Sequence, residues 1–200
     1  MATLVRLEEA QGLSKGGGIP VSQILPAYAE LNRRGALFAL DTHAGTAKAP
    51  VVAAPTTSPE WALINYDPTR TMFVLQAACT LKSGTTGLGL ALMMASAIGP
   101  QTAVTADYAS SVKSALDGSQ TRPNVWITNN PTLVGGTPAW AVLEATRVNT
   151  IGTDSVGDGL IARVDGLFSA APGGGAIAME VVGETGTSAL FSVSFIIAMV

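Results

Sequence analysis

The side chains able to do chemistry are few. There is one histidine, His43, and one cysteine, Cys79. A Ser-His-Asp or Cys-His centre would have to use His43. That residue lies in the low-complexity stretch 41–46, beside no nucleophile motif, and reads as an exposed loop histidine. Cys79 sits in the apolar run 72–81 and reads as a small buried hydrophobe. A lone cysteine allows no intrachain disulfide, and a lone histidine excludes a multi-histidine metal site. Asp154, Asp158 and Asp165 fall in one short region, and oxygen-rich loops can hold calcium. The EF-hand spacing and its closing glutamate are missing, so turn and surface roles are the better reading. Lys82 followed by Gly84-Thr85-Thr86-Gly87-Leu88-Gly89 has the wrong order for a phosphate-binding loop, which ends in Gly-Lys-Ser/Thr at a helix start. It reads as a hairpin turn. Glu60, Glu144, Glu180 and Glu184 are scattered carboxylates, two of which could meet as a glycosidase pair, although no spacing points to it. Trp61, Trp126 and Trp140 could offer a stacking surface for a sugar, but packing is the commoner fate of tryptophan in so apolar a chain. The expectation is a protein that is not an enzyme, with no catalytic residue, no cofactor and no metal ligand.

The composition points the same way. Two hundred residues fit one domain and can bury a core without covalent help. Charged residues make up 12%, against roughly 25% in average soluble domains. Mean hydropathy is +0.38. Yet no run approaches the roughly 20 apolar residues of a membrane helix, so no membrane is expected as a partner. The stretches 88–98 and 190–200 are short and broken by Gly89, Ser96, Ser192 and Ser194. An apolar, weakly charged chain of this kind is expected to hide surface against other chains. Net charge is -3, and no basic cluster exceeds Arg33-Arg34. Phosphate backbones need a dense positive footprint, so no nucleic acid is expected either. Residues 1–6 lack a signal-peptide apolar region, and synthesis in the cytoplasm is the default.

The elements follow from period and punctuation. Residues 1–58 read as an amino-terminal arm, with Gly16-Gly17-Gly18, the Ala/Pro/Thr stretch 44–59, and a short helix carrying Ile24, Tyr28 and Leu31 after the constraint of Pro26. Residues 59–200 read as a β-sandwich domain. Strands are expected at 61–66, 71–81, 88–97, 124–128 and 139–148. In 71–81, Phe73, Leu75, Ala77 and Cys79 are expected to share a face. Residues 82–87 are expected to form a turn. The run 88–97 suits a strand buried on both faces, or a helix. A second helix is expected over 107–116, capped by Asp107 and ended by Gly118. The last third alternates most clearly. Leu160, Ala162, Val164 and Phe168 oppose Arg163 and Asp165. Ile177, Met179 and Val181 share a face, and Phe191, Val193, Phe195, Ile197 and Met199 oppose Ser192 and Ser194. The fold class expected is all-β, an antiparallel β-sandwich or jelly roll with an extended amino-terminal arm and one or two short helices.

The carboxy-terminal pattern carries a resemblance. It runs from Ile161-Ala162-Arg163-Val164-Asp165-Gly166-Leu167-Phe168 through Ala171-Pro172-Gly173 to Glu184-Thr185-Gly186-Thr187-Ser188-Ala189-Leu190-Phe191 and a final aliphatic strand. Together with Ser58-Pro59-Glu60-Trp61-Ala62-Leu63 and the Ser83-Gly84-Thr85 segment, it resembles the β-sandwich structural proteins of tailed bacteriophages, above all the trimeric capsid cement or decoration proteins. The resemblance covers about 58–200. It implies a homotrimer bound to the major capsid protein on the outer capsid surface of the virion, stabilising the shell by added contact area, with no residue doing chemistry. The alternatives are a tail-associated receptor-binding module, a jelly-roll coat subunit that forms the shell itself, and a carboxylate-based hydrolase.

Overall fold

A computed structural model describes residues 5–6, 22–23, 27–45, 47–86, 89–101, 113–116, 123–146, 159–183 and 187–200. Val5–Arg6 (β1) and Ser22–Gln23 (β2) form a small antiparallel pair. Ala27–Arg33 is helix α1, beginning directly after Pro26. Glu30 accepts hydrogen bonds from Arg33 and Arg34, and these hold its carboxyl down at about 2. The strands that build the body are Leu37–Asp41 (β3), Trp61–Asn65 (β4), Met72–Thr85 (β5), Leu90–Ser96 (β6), Lys113–Ser114 (β7), Val125–Asn129 (β8), Ala141–Thr146 (β9), Gly159–Ala170 (β10), Gly175–Gly183 (β11) and Thr187–Met199 (β12). They form two five-stranded sheets, ordered β10-β5-β12-β3-β7 and β8-β4-β11-β6-β9.

The pairings are nested. β3 pairs with β12, β4 with β11, β5 with β10 and β6 with β9, all antiparallel. These eight strands are therefore one long antiparallel ribbon, rolled so that β12 also lies beside β5 and β11 beside β6. That winding is a jelly roll, as expected from the sequence. β7 and β8, from the far end of the ribbon, extend the two sheets beyond β3 and β4.

Alternation supplies the core between the sheets. From one sheet come Phe38, Leu40, Met72, Val74, Cys79, Leu81, Phe168, Phe191, Val193, Phe195 and Ile197; from the other come Trp61, Leu63, Leu92, Met94, Ile127, Ile177, Met179 and Val181. The period-two assignments for β10, β11 and β12 hold residue by residue, and Ser192 and Ser194 lie on the opposite side. A second, smaller apolar layer lies on the outer face of the β4–β11 sheet. There Ala62 and Ala178, register partners, leave room for Leu133 and Trp140.

Several expectations are corrected. In β5, Phe73 and Leu75 do not share a face with Ala77 and Cys79. The core positions are Met72, Val74, Ala77, Cys79 and Leu81, a step of three residues in the middle. The cause is irregular pairing with both neighbours: Gln76 pairs with Arg163 and Val74 with Phe168, while on the other side Ile196 and Ile197 face Gln76 and Val74. Residues 82–85 are not a turn but the end of β5, held by β12 through Ser83 and Thr85. Gly84 takes φ of +78 there, and an added Cβ would lie 2.2 Å from Ser188 O. Gly84→Ala is expected to cost at least about 2 kcal/mol, read from urea denaturation; an unchanged midpoint would contradict this packing. β6 is a strand, one of the two readings of the run 88–97: Leu90, Leu92 and Met94 enter the main core, while on the other face Ala95 is buried and Ala91 and Met93 are half-buried. The helix placed at 107–116 lies mostly outside the described residues, and its end, Lys113–Ser114, is strand β7, paired with Phe38 and Ala39. Within the span assigned to the arm, β3 is an internal strand of its sheet, so the sheet begins well ahead of Ser58.

Candidate functional site

The strand ends bring the turn residues together at one end of the sandwich, around Asn65. This side chain is wholly buried. Its amide donates to the carbonyls of Arg70 and Ala170, and its oxygen accepts from the Asp67 N–H. The Asn65 carbonyl accepts from Gly174 N. One asparagine thus ties the turn after β4 to the turn before β11. Asp67 continues the brace, accepting from Thr69 N, Arg70 N and the Arg70 guanidinium. Those donors, Arg70 first, hold its carboxyl well below the usual carboxylate range. At the same end, Gln101 is buried and bonds both N–H and carbonyl of Val134.

The sequence candidates scatter. His43 is exposed in a turn. Cys79 is buried in the core, and burial pushes its thiol up to about 11, away from a nucleophilic thiolate. Asp165 is exposed, where φ is +48, and accepts a hydrogen bond from the Tyr28 hydroxyl of α1. Asp154, Asp158 and Glu184 lie outside the described residues. Trp61 is in the main core. Trp126 meets Tyr66 edge-on with ring centroids 5.3 Å apart, and its indole donates to Asn124. Trp140 donates to the carbonyl of Pro55. The three indoles therefore occupy separate environments rather than one stacking platform.

Two of the carboxylates do meet. Residues 47–60 form a strap that leaves β3, crosses to the β4–β11 sheet and enters β4. Lys48 exchanges backbone hydrogen bonds with Phe191, and Val51 is held between Val181 O and Gly183 N. At the end of the strap, Glu60 N donates to Glu180 Oε2 at 2.9 Å. The other oxygen of Glu180 accepts from Val181 N at 3.0 Å. Glu180 has no exposed surface, and burial first, with the Glu60 charge adding, pushes its carboxyl up to about 7. Lys48 Nζ lies 3.6 Å from Glu60 Oε2 and donates to Asn130 Oδ1 at 3.0 Å. Glu180 therefore offers no surface to a sugar in this arrangement. Lys48 and Asn130 were not singled out in the sequence; nothing local marks them, because their partners are far along the chain.

Several large apolar side chains are left outside. The edges formed by β9 and β10 adjoin one another, one closing each sheet on the same side of the sandwich. Val142 on β9 is 59% exposed, and on β10 Ile161 is 64% and Leu167 is 77% exposed. Val52 on the strap, Ile98 and Val134 at the Gln101 end, and Val200 are also open to solvent. Among the described residues, no helix is long and apolar enough to cross a membrane.

No protein-family model matches the chain, and no curated protein matches it.

Proposed function

We propose that this chain is a structural protein of a virus particle, a cement subunit that seats its jelly roll on the outer capsid surface against neighbouring shell chains. The observation that carries the reading is the contrast between interior and exterior. The sandwich is filled by packed apolar side chains, while Val142, Ile161 and Leu167 stand exposed along one side of it. Large aliphatic side chains in a chain with 12% charged residues favour burial against other chains over catalysis in solution. In this mechanism the subunit stabilises the shell by adding contact area across its joints, and many such contacts act together by mass action.

A second reading is a coat subunit that forms the shell itself, and the nested ribbon of eight strands favours it, because jelly rolls of this winding serve as capsid building blocks. One experiment separates the two. The purified chain is examined by sedimentation velocity and negative-stain microscopy. The cement reading predicts a small defined oligomer, with the homotrimer as the first expectation. Paired Ile161→Asp and Leu167→Asp substitutions would convert that oligomer to monomer while leaving the far-ultraviolet circular dichroism unchanged. Closed particles from the chain alone would select the coat reading. A monomer at micromolar concentration with no affinity for assembled shells would contradict both.

A further inference from the structure

We propose that Glu180, with Glu60 beside it, is a proton-operated latch on the strap 47–60, closed when Glu180 carries its proton and loosened when it does not. This stands independently of the proposed function.

The geometry is that of a shut joint. The second half of the strap is tied to the body by Val51 N to Val181 O, Gly183 N to Val51 O, the Trp140 indole to Pro55 O, Leu133 N to Thr57 O, Asn130 N to Glu60 O, and Glu60 N to Glu180 Oε2. The last of these uses an ionisable group that water does not reach. Glu60 Oε2 is likewise shut off from water and takes no hydrogen bond; its compensating charge is Lys48 Nζ at 3.6 Å. That one ammonium is paired with Glu60 and shared with Asn130, and Glu180 has no ion-pair partner of its own among the described residues. The remaining surroundings are neutral. β6, register partner of β11 through Met93 opposite Glu180, carries no charged residue. Neither do β4, β8 or the segment 131–140. On β9, Glu144 is exposed, and its own carboxylate accepts from Ala145 N.

With Glu180 neutral, this arrangement holds one negative and one positive side chain and is balanced. Loss of the proton places a second negative charge beside the first, on a side chain with no exposed surface. Two backbone N–H donors soften that charge without neutralising it. Admitting water at Glu180 is the available relief, and the strap residue Glu60 is bonded to Glu180 there. The sign is that of a carboxyl whose proton is held more tightly in the folded state than in the unfolded one. The closed strap is fully favoured below the ordinary carboxylate range, near 4.5, and its advantage is lost as pH rises from there through about 7.

The test is amide hydrogen exchange by nuclear magnetic resonance at pH 6 and pH 8, corrected for intrinsic exchange, on the full chain. Protection at Val51, Glu60 and Gly183 is expected to fall by about tenfold over that range, while core amides such as Leu63 and Ile177 hold theirs. In Glu180→Gln the fall should vanish, since the amide keeps the shape and does not ionise. Lys48→Gln removes the compensating charge, so Glu180 should keep its proton longer and the fall should move to higher pH. That variant carries the test even if Glu180→Gln folds poorly. Equal protection at both pH values in the unaltered chain would overturn the latch. So would the same fall in Glu180→Gln, or an unmoved transition in Lys48→Gln.

Discussion

Replacing Asn65 with leucine is expected to lower the unfolding free energy by about 3 kcal/mol or more, because it strands several backbone groups at once. Leucine matches asparagine in rough size but offers neither donor nor acceptor. The carbonyls of Arg70 and Ala170 and the N–H of Asp67 would lose their partner where the site is closed to solvent. Buried polar groups left without partners cost more than the bonds themselves contribute. Asn65→Asp restores the acceptor for Asp67 N but not the donors, and is expected to fall between the two. Equilibrium urea denaturation reads both. A Leu variant within about 0.5 kcal/mol of the parent would mean that the two turns are held by something other than Asn65.

The second large effect is expected at Phe191. Its ring is wholly buried between the sheets, and its backbone joins Lys48 of the strap while its strand lies between β5 and β3. Phe191→Ala removes the ring from the middle of the ribbon and leaves a cavity lined by both sheets, at an expected cost of about 3–5 kcal/mol. Phe191→Leu keeps most of the volume and should cost well under half of that. Thermal and urea unfolding measure the pair, and equal losses for Ala and Leu would argue against close packing at that point.

Most of the architecture was legible because the sandwich buries one face of its long strands. From Phe191 to Met199 every second side chain enters the core, and the intervening serines lie outside it, so the period alone locates β12. The same logic failed inside β5, where irregular pairing near Leu75 shifts the parity; a rule that assumes unbroken alternation puts Phe73 and Leu75 on the wrong side. Ser83-Gly84-Thr85 has turn composition, yet pairing with β12 keeps it within the strand, with Gly84 at positive φ, a tertiary override of local preference. The carboxyl pair was beyond local reading. Glu60 and Glu180 stand 120 positions apart, and only the β4–β11 pairing and the strap bring them together. Asn65 was hidden for a similar reason, as a polar residue ending a strand acquires its role only when two distant turns meet. The exposed aliphatic residues Ile161 and Leu167 were read as part of a strand pattern; their exposure beside β9 emerges from the rolled ribbon.

We propose that this chain works by contact area, as a component of a virus shell. The most direct test is the copy number of the chain in purified particles relative to the main shell protein, by quantitative mass spectrometry. Abundance comparable to the shell protein is expected, as a cement or coat subunit requires. A few copies per particle would place the chain on the tail and make host recognition its function, and absence from purified particles would contradict the virion role altogether.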